Sequence, residues 1–164
     1  DASLAARMEP RAASPRERLR TIRELSGAGI PVQALVAPVI PGITDREVPA
    51  ILEAVRDAGA TAAGWIMMRL PWGVKEVFSE WLGREFPDRA RKVESLIRGM
   101  RGGELNDSRP GVRMRGEGVM AAQVKQMFDV HARRLGLDRR LPPVNRGAFR
   151  RPPVDGTGQM GLFS

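Results

Sequence analysis

The chain has 164 residues, 42% of them hydrophobic, which is enough for one domain-sized core that 18 glycines and 13 prolines interrupt often. It has no cysteine, which excludes disulfides, cysteine-based zinc fingers and any iron–sulfur cluster ligated from within the chain. Its formal net charge of +8 is uneven, −1 over residues 1–88 and +10 over residues 89–151, so the second half is suited to a polyanion such as DNA or RNA. A GC-rich genome accounts for the charge equally well, because only Lys75, Lys92 and Lys125 among the cations are not arginine. No apolar run is long enough to cross a bilayer. The opening "DASLAARMEP" carries neither an initiator Met nor a visible signal peptide, so the chain reads as a processed product or a fragment, with the cytoplasm as its default location.

In chain order, "SPRERLRTIRELSGAG" predicts a helix. Ser14 is its N-cap, Pro15 its first residue and Glu17 the partner that completes a capping box. Leu19, Ile22 and Leu25 form its apolar stripe, and Gly27 and Gly29 end it. "PVQALVAP" (31–38) predicts a strand covered on both faces. "ITDREVPAILEAVRDAGA" repeats the helix grammar, with Thr44 and Glu47 as a second capping box, Val48, Ile51, Leu52 and Val55 as the stripe, and Gly59 as the stop. "TAAGWIMMRLP" (61–71) predicts a second buried strand. Alternation of helix and strand with short turns indicates a parallel α/β sheet or barrel.

After Pro71 the pattern becomes helical. Val74, Val77, Phe78, Trp81 and Leu82 fall on one face of a first helix, and Ala90, Val93, Leu96, Ile97 and Met100 on one face of a second. A loop leads to a third helix over about 119–135, with Val124, Met127, Phe128, Val130 and Leu135 apolar. The organisation expected is therefore 1–72 as α/β, 73–137 as a helical extension, and 138–164 as a Pro/Arg-rich tail, extended or disordered, that ends in the apolar "QMGLFS".

The turn "PVIPG" at 38–42 closes the first strand. In parallel α/β folds ligands bind beyond the carboxyl ends of the strands. Prolines stiffen this rim, Gly42 permits close backbone approach, and the next helix begins at Asp45. The residues alone allow either a site for a flat ring or a tight turn with no ligand. Further stretches are more specific: "EPRAASP", "VAPVIPG", "AAGWIMMRLP", "FPDRARKVESLIRGMRGGELND", "MRGEG" and "RLGLDRRLPP". Together they resemble the second half of a radical S-adenosylmethionine (SAM) protein of the bacterial branch called DNA-repair photolyase-like, a relative of spore photoproduct lyase.

That resemblance implies the last strands and helices of a partial (β/α)6 barrel followed by a helical C-terminal extension. It also implies a [4Fe–4S] cluster and SAM as cofactors, with the cluster held by a CxxxCxxC loop that this chain lacks. The cluster half then lies upstream, and the chain alone is not expected to cleave SAM. The family's adenine-contacting motif GxIxGxxE is similar to "PVIPGITD": Ile40 and Gly42 match, Asp45 takes the acidic place, and Pro38 departs from the first glycine. By the same resemblance Met67 and Met68 line the purine site, with plain core packing as their other reading. Arg11 stands near the SAM carboxylate or is a surface arginine, Glu9 fixes its loop, and Asp1 and Arg69 fall near the barrel mouth.

His131, the only histidine, reads as a helix-surface or packing residue. Trp65, Trp72 and Trp81 suit core or junction packing, and Trp72 in "LPWG" is the one placed to stack on a substrate. The ending "QMGLF" resembles the peptide by which bacterial replication and repair proteins dock on the sliding clamp. Gln159 would bond the pocket rim while Met160, Leu162 and Phe163 fill it, unless the tail folds onto its own core. Two functions stand: part of a radical SAM, lyase-like enzyme acting on nucleic acid in repair, or a non-catalytic basic adaptor between nucleic acid and the clamp. A phosphate-binding barrel fragment ranks below both, since no Gly-rich phosphate loop is present.

Overall fold

A computed structural model describes residues 1–149. Gln159, Met160, Leu162 and Phe163, expected to form the clamp-docking peptide, lie outside the described residues. The elements run α1 (Ala2–Met8), α2 (Pro15–Gly27), β1 (Gln33–Val39), α3 (Val48–Asp57), β2 (Ala62–Met67), α4 (Val74–Glu85), α5 (Ala90–Gly99) and α6 (Gly118–Arg134). Among the described residues this is an α/β fold with six α-helices and a two-stranded parallel sheet. Helix α1, which the apolar pattern did not announce, starts where the Asp1 carboxylate accepts from the Ser3 and Leu4 N–H groups at 2.8 and 3.0 Å.

Helix α2 forms as its sequence grammar requires. The Ser14 N–H donates to the Glu17 carboxylate at 2.9 Å, and the Glu17 N–H donates to Ser14 Oγ at 3.3 Å, so two otherwise orphaned donors are satisfied reciprocally. At its far end Ser26 Oγ donates to the Gly59 carbonyl at 3.0 Å, and a Cβ on Gly59, at φ +103, would collide with the Ser26 side chain. The stops of α2 and α3 thus meet at one point.

Parallel strands need a crossover, and α3 supplies it between β1 and β2. Val36 pairs with Trp65 and Val39 with Met67, with an irregularity between them that contains the cis Ala37–Pro38 bond. One face of the sheet, with Ala34, Val36, Trp65 and Met67, packs against Val48, Leu52 and Val55 of α3 and against Ala121, Val124 and Phe128 of α6. A second cluster closes over the carboxyl ends of the strands. It joins Leu4 of α1, Ile40, Met68 and Leu70 to Phe78, Trp81 and Leu82 of α4 and Val93 and Ile97 of α5. Each fully buried aliphatic or aromatic side chain contributes on the order of 1.5–3 kcal/mol. Both clusters draw on residues from either side of position 72.

Three expectations are corrected. Strand β1 is not covered on both faces: Gln33, Leu35 and Ala37 alternate outward, and Leu35 is 58% exposed. The second capping box does not form, because the Thr44 hydroxyl accepts instead from the Ile40 N–H at 2.8 Å. A 3-10 turn, Asp45–Glu47, then intervenes, and α3 begins at Val48 with no side-chain cap. On α4 Val74 and Val77 face solvent, and so does Val130 on α6; the faces that pack are narrower than the stripes suggested. The helical region is also stitched to the sheet edge: the Ala63 N–H donates to the Leu137 carbonyl at 2.8 Å and the Met67 N–H to the Met114 carbonyl at 2.9 Å. The outer edge of β2 is thereby covered in part, while β1 has no strand on its other side among the described residues.

Candidate functional site

The turn after β1 is held from within. The N–H groups of Ile43, Thr44 and Asp45 all donate to the Ile40 carbonyl, at 3.1, 2.9 and 3.3 Å. Gly42 stands at φ +78, a conformation that L side chains rarely adopt, and a Cβ there would lie 3.3 Å from Leu96 Cδ1 and 3.6 Å from Val93 Cγ2. The close approach that glycine allows is therefore made by α5. The Ile40 side chain is fully buried in the cluster at the strand ends, together with Met68, whereas Met67 is buried in the other cluster. Asp45 is half-buried, and its Oδ1 has no hydrogen-bond partner. Arg11 is exposed between α1 and α2, next to a loop that Glu9 ties down through Arg18 at 3.0 Å. Ile40 and Met68 thus come together, and Met67, Arg11 and Asp45 do not join them in one cavity.

These residues do not fit SAM as the described chain is folded. Leu96 and Val93 of α5 pack against the inner side of Gly42, and the apolar groups meant for an adenine are spent on packing. Nor do they fit the cluster. The chain has no cysteine, and among the described residues no three His, Asp or Glu side chains are grouped to hold a metal.

Past the buried Met68 and Leu70 that follow β2, the chain comes to the surface. Trp72 adopts φ 44, the only positive φ outside glycine among the described residues, and its side chain is 90% exposed. Exposed Val74 and Val77 follow it on α4. A bulky residue in this region is strained by roughly 1–3 kcal/mol, and nothing in the apolar core rewards the position. Trp65 and Trp81 are by contrast buried, and the Trp81 indole N–H donates to the Arg7 carbonyl at 3.2 Å.

Sequence reasoning missed two arginines. Arg101, 2% exposed, donates to the Met68, Val112 and Arg113 carbonyls at 2.8, 3.0 and 3.0 Å, clasping the 102–117 loop to the end of β2. Burial pushes its guanidinium below the usual arginine value, with Asp107 opposing and Arg69 adding to the shift. Asp107 is held below the usual carboxylate range by hydrogen bonds from Arg109. Arg115 lies over the Trp65 ring at 4.2 Å from its centroid, a cation–π contact beside Lys125, Asp129 and Phe128. No spacing rule flags either residue; a long cation in a Gly-rich loop reads as surface. Arg69 donates to Met114 Sδ at 3.7 Å, and its Nε is buried without a partner. His131 is half-buried, with Nδ1 2.8 Å from the Met127 carbonyl.

No family model matches the chain, and no solved structure matches it. Over 87 residues it is 30% identical to an uncharacterized protein of Mycobacterium bovis (strain ATCC BAA-935 / AF2122/97). The same identity and length relate it to uncharacterized proteins of two strains of Mycobacterium tuberculosis, CDC 1551 / Oshkosh and ATCC 25618 / H37Rv. The match covers 52% of this chain and 26% of each relative, so it spans about a quarter of the length of these curated relatives.

Proposed function

We propose that the chain is the C-terminal part of a longer radical SAM iron–sulfur protein that acts on nucleic acid, and that its own share of the work is to hold that nucleic acid. SAM and the [4Fe–4S] cluster belong, in this reading, to the remainder of the protein. Trp72 carries the part assigned to this chain: an indole held almost wholly in solvent, in a strained conformation, just beyond a strand end. Base–aromatic stacking contributes about 1–3 kcal/mol per base and tolerates any sequence. The +10 charge of residues 89–151 supplies the accompanying electrostatic attraction to phosphates.

The barrel rests on the sequence resemblance. It is supported by the parallel β1–α3–β2 unit, by the open edge of β1, and by the outward apolar face at Leu35, which in a partial (β/α)6 barrel would line the interior. One observation favours the adaptor reading, in which no cofactor chemistry depends on these residues: the strand ends are packed shut by α4 and α5. Both readings require nucleic-acid binding. Titrating a single-stranded oligonucleotide while following tryptophan fluorescence tests it. Quenching that disappears in Trp72→Ala is expected; binding unaltered by that substitution removes the stacking role.

A further inference from the structure

Beside the Gly42 turn lies a pocket of about 290 Å³ whose lining is Gly42, Ile43, Arg46, Arg89, Lys92 and Val93. Its walls differ from those of the depression next to Trp65, where Asp129 and Asp138 stand among the cations. Here three cations and no carboxylate face one space. None of the three forms an ion pair among the described residues, although ten such pairs form there.

The helix that supplies two of them points the same way. Arg89 is the N-cap residue of α5 and Lys92 follows three residues later, so the two lie on neighbouring positions of one face. The first turn of α5 has no acidic residue and no side-chain cap. The Arg89 and Ala90 N–H groups donate to the Phe86 carbonyl at 3.0 and 2.9 Å, and the positive end of the helix dipole remains, which the cations there oppose. A first turn of this composition is locally unfavourable, and an anion reverses the sign of each term. Arg46 reaches the space from the other side, from the 3-10 turn Asp45–Glu47 that follows Gly42. Val93 and Ile43 give it an apolar floor.

We infer that this pocket binds a phosphate group, held by Arg46, Arg89 and Lys92 around the Gly42 turn. Two guanidinium forks match phosphate oxygens bidentately, and the ammonium adds a point charge. At about 290 Å³ the space sits at the lower limit of small-molecule pockets, which suits one phosphate and the unit attached to it. The source of the phosphate rests on the proposed function: a backbone phosphodiester of a nucleic-acid strand. The shared chemistry would also admit a free phosphate monoester.

The experiment compares the wild-type chain, the triple variant R46Q/R89Q/K92Q and Trp72→Ala. For each, the affinity for a fluorescent single-stranded oligonucleotide is measured across a salt series, together with backbone amide shifts on addition of inorganic phosphate. All three substituted side chains are exposed, so the melting temperature should be unchanged, and that is checked first. The expected result is a log–log salt slope about 0.7 shallower for each phosphate the triple variant no longer engages, with Trp72→Ala weakening affinity at an unchanged slope. Phosphate should shift the amides of Gly42, Arg46 and Lys92 in the wild type and not in the triple variant. An unchanged slope and no phosphate-induced shift overturn the pocket, while oligonucleotide binding by the wild type keeps the functional reading. Phosphate shifts without any oligonucleotide binding sustain the pocket for a free phosphate and overturn the nucleic-acid source.

Discussion

At the scale of single residues, the chain separates side chains that hold the fold from side chains it leaves on offer. Arg101 belongs to the first kind. Replacing it with Met leaves the Met68 and Arg113 carbonyls without the guanidinium donor, while the Val112 carbonyl keeps the Arg115 and Gly116 N–H groups; each buried unpaired group costs about 1–3 kcal/mol. Arg101→Met should therefore lower the unfolding free energy by about 2 kcal/mol or more in denaturant titration; a loss below about 1 kcal/mol would mean water replaces the clasp. Trp72 belongs to the second kind. With 90% of its surface in solvent, Trp72→Ala should leave stability within about 0.5 kcal/mol and cut single-strand affinity by about 5- to 150-fold. Trp72 was legible only as a candidate, by its place past a strand end in "LPWG"; its exposure overturns the packing reading that it shared with Trp65 and Trp81. Arg101 was not, since its partners are backbone carbonyls far along the chain and no residue type marks them.

At the scale of elements, caps and glycines mark the helix ends, and they do so unevenly. The capping box on α2 was legible because Ser14, Pro15 and Glu17 have no nearer partner to choose. Ser14→Ala should destabilise the protein by about 0.5–2 kcal/mol in the same titration. The Glu17 carboxylate is held below the usual glutamate range, first by the Ser14 N–H and then by its hydroxyl. Its folded value being lowered, the contribution is complete above the unfolded value. It fades as pH falls through the folded one, so the difference between Ser14→Ala and wild type should shrink in acid. The same grammar at Thr44 and Glu47 misled, because the tight turn at Ile40 takes the Thr44 hydroxyl first. That turn also needs its glycine. Gly42→Ala would place a side chain at φ +78 and press on Leu96, a cost of about 1–2 kcal/mol from the backbone alone, read by thermal unfolding.

At the scale of the whole molecule, the α/β pattern was legible from its alternation, while the way the helices return was not. Periodicity shows that a helix has an apolar face but not which face of the sheet receives it. Hence Val74, Val77 and Val130 look like core residues in sequence and stand in solvent in the fold. The outward face of β1 raises the same question in reverse. If that face lines a barrel in a longer protein, Leu35→Lys should be nearly silent in this chain and should abolish soluble folding of the longer one. Comparing the melting temperature of the first with the soluble yield of the second checks this. The candidate site was legible in part: prolines and a glycine mark the turn at 38–42 in the sequence, but its inner side is packed by α5 and its outer side carries the cations. The most direct test of the account is the affinity of the wild-type chain for a single-stranded oligonucleotide between low and moderate salt. Binding should weaken steeply as salt rises, by about 0.7 log units per log unit of salt for each phosphate engaged; absence of binding, or affinity indifferent to salt, would rule out a nucleic-acid-holding role.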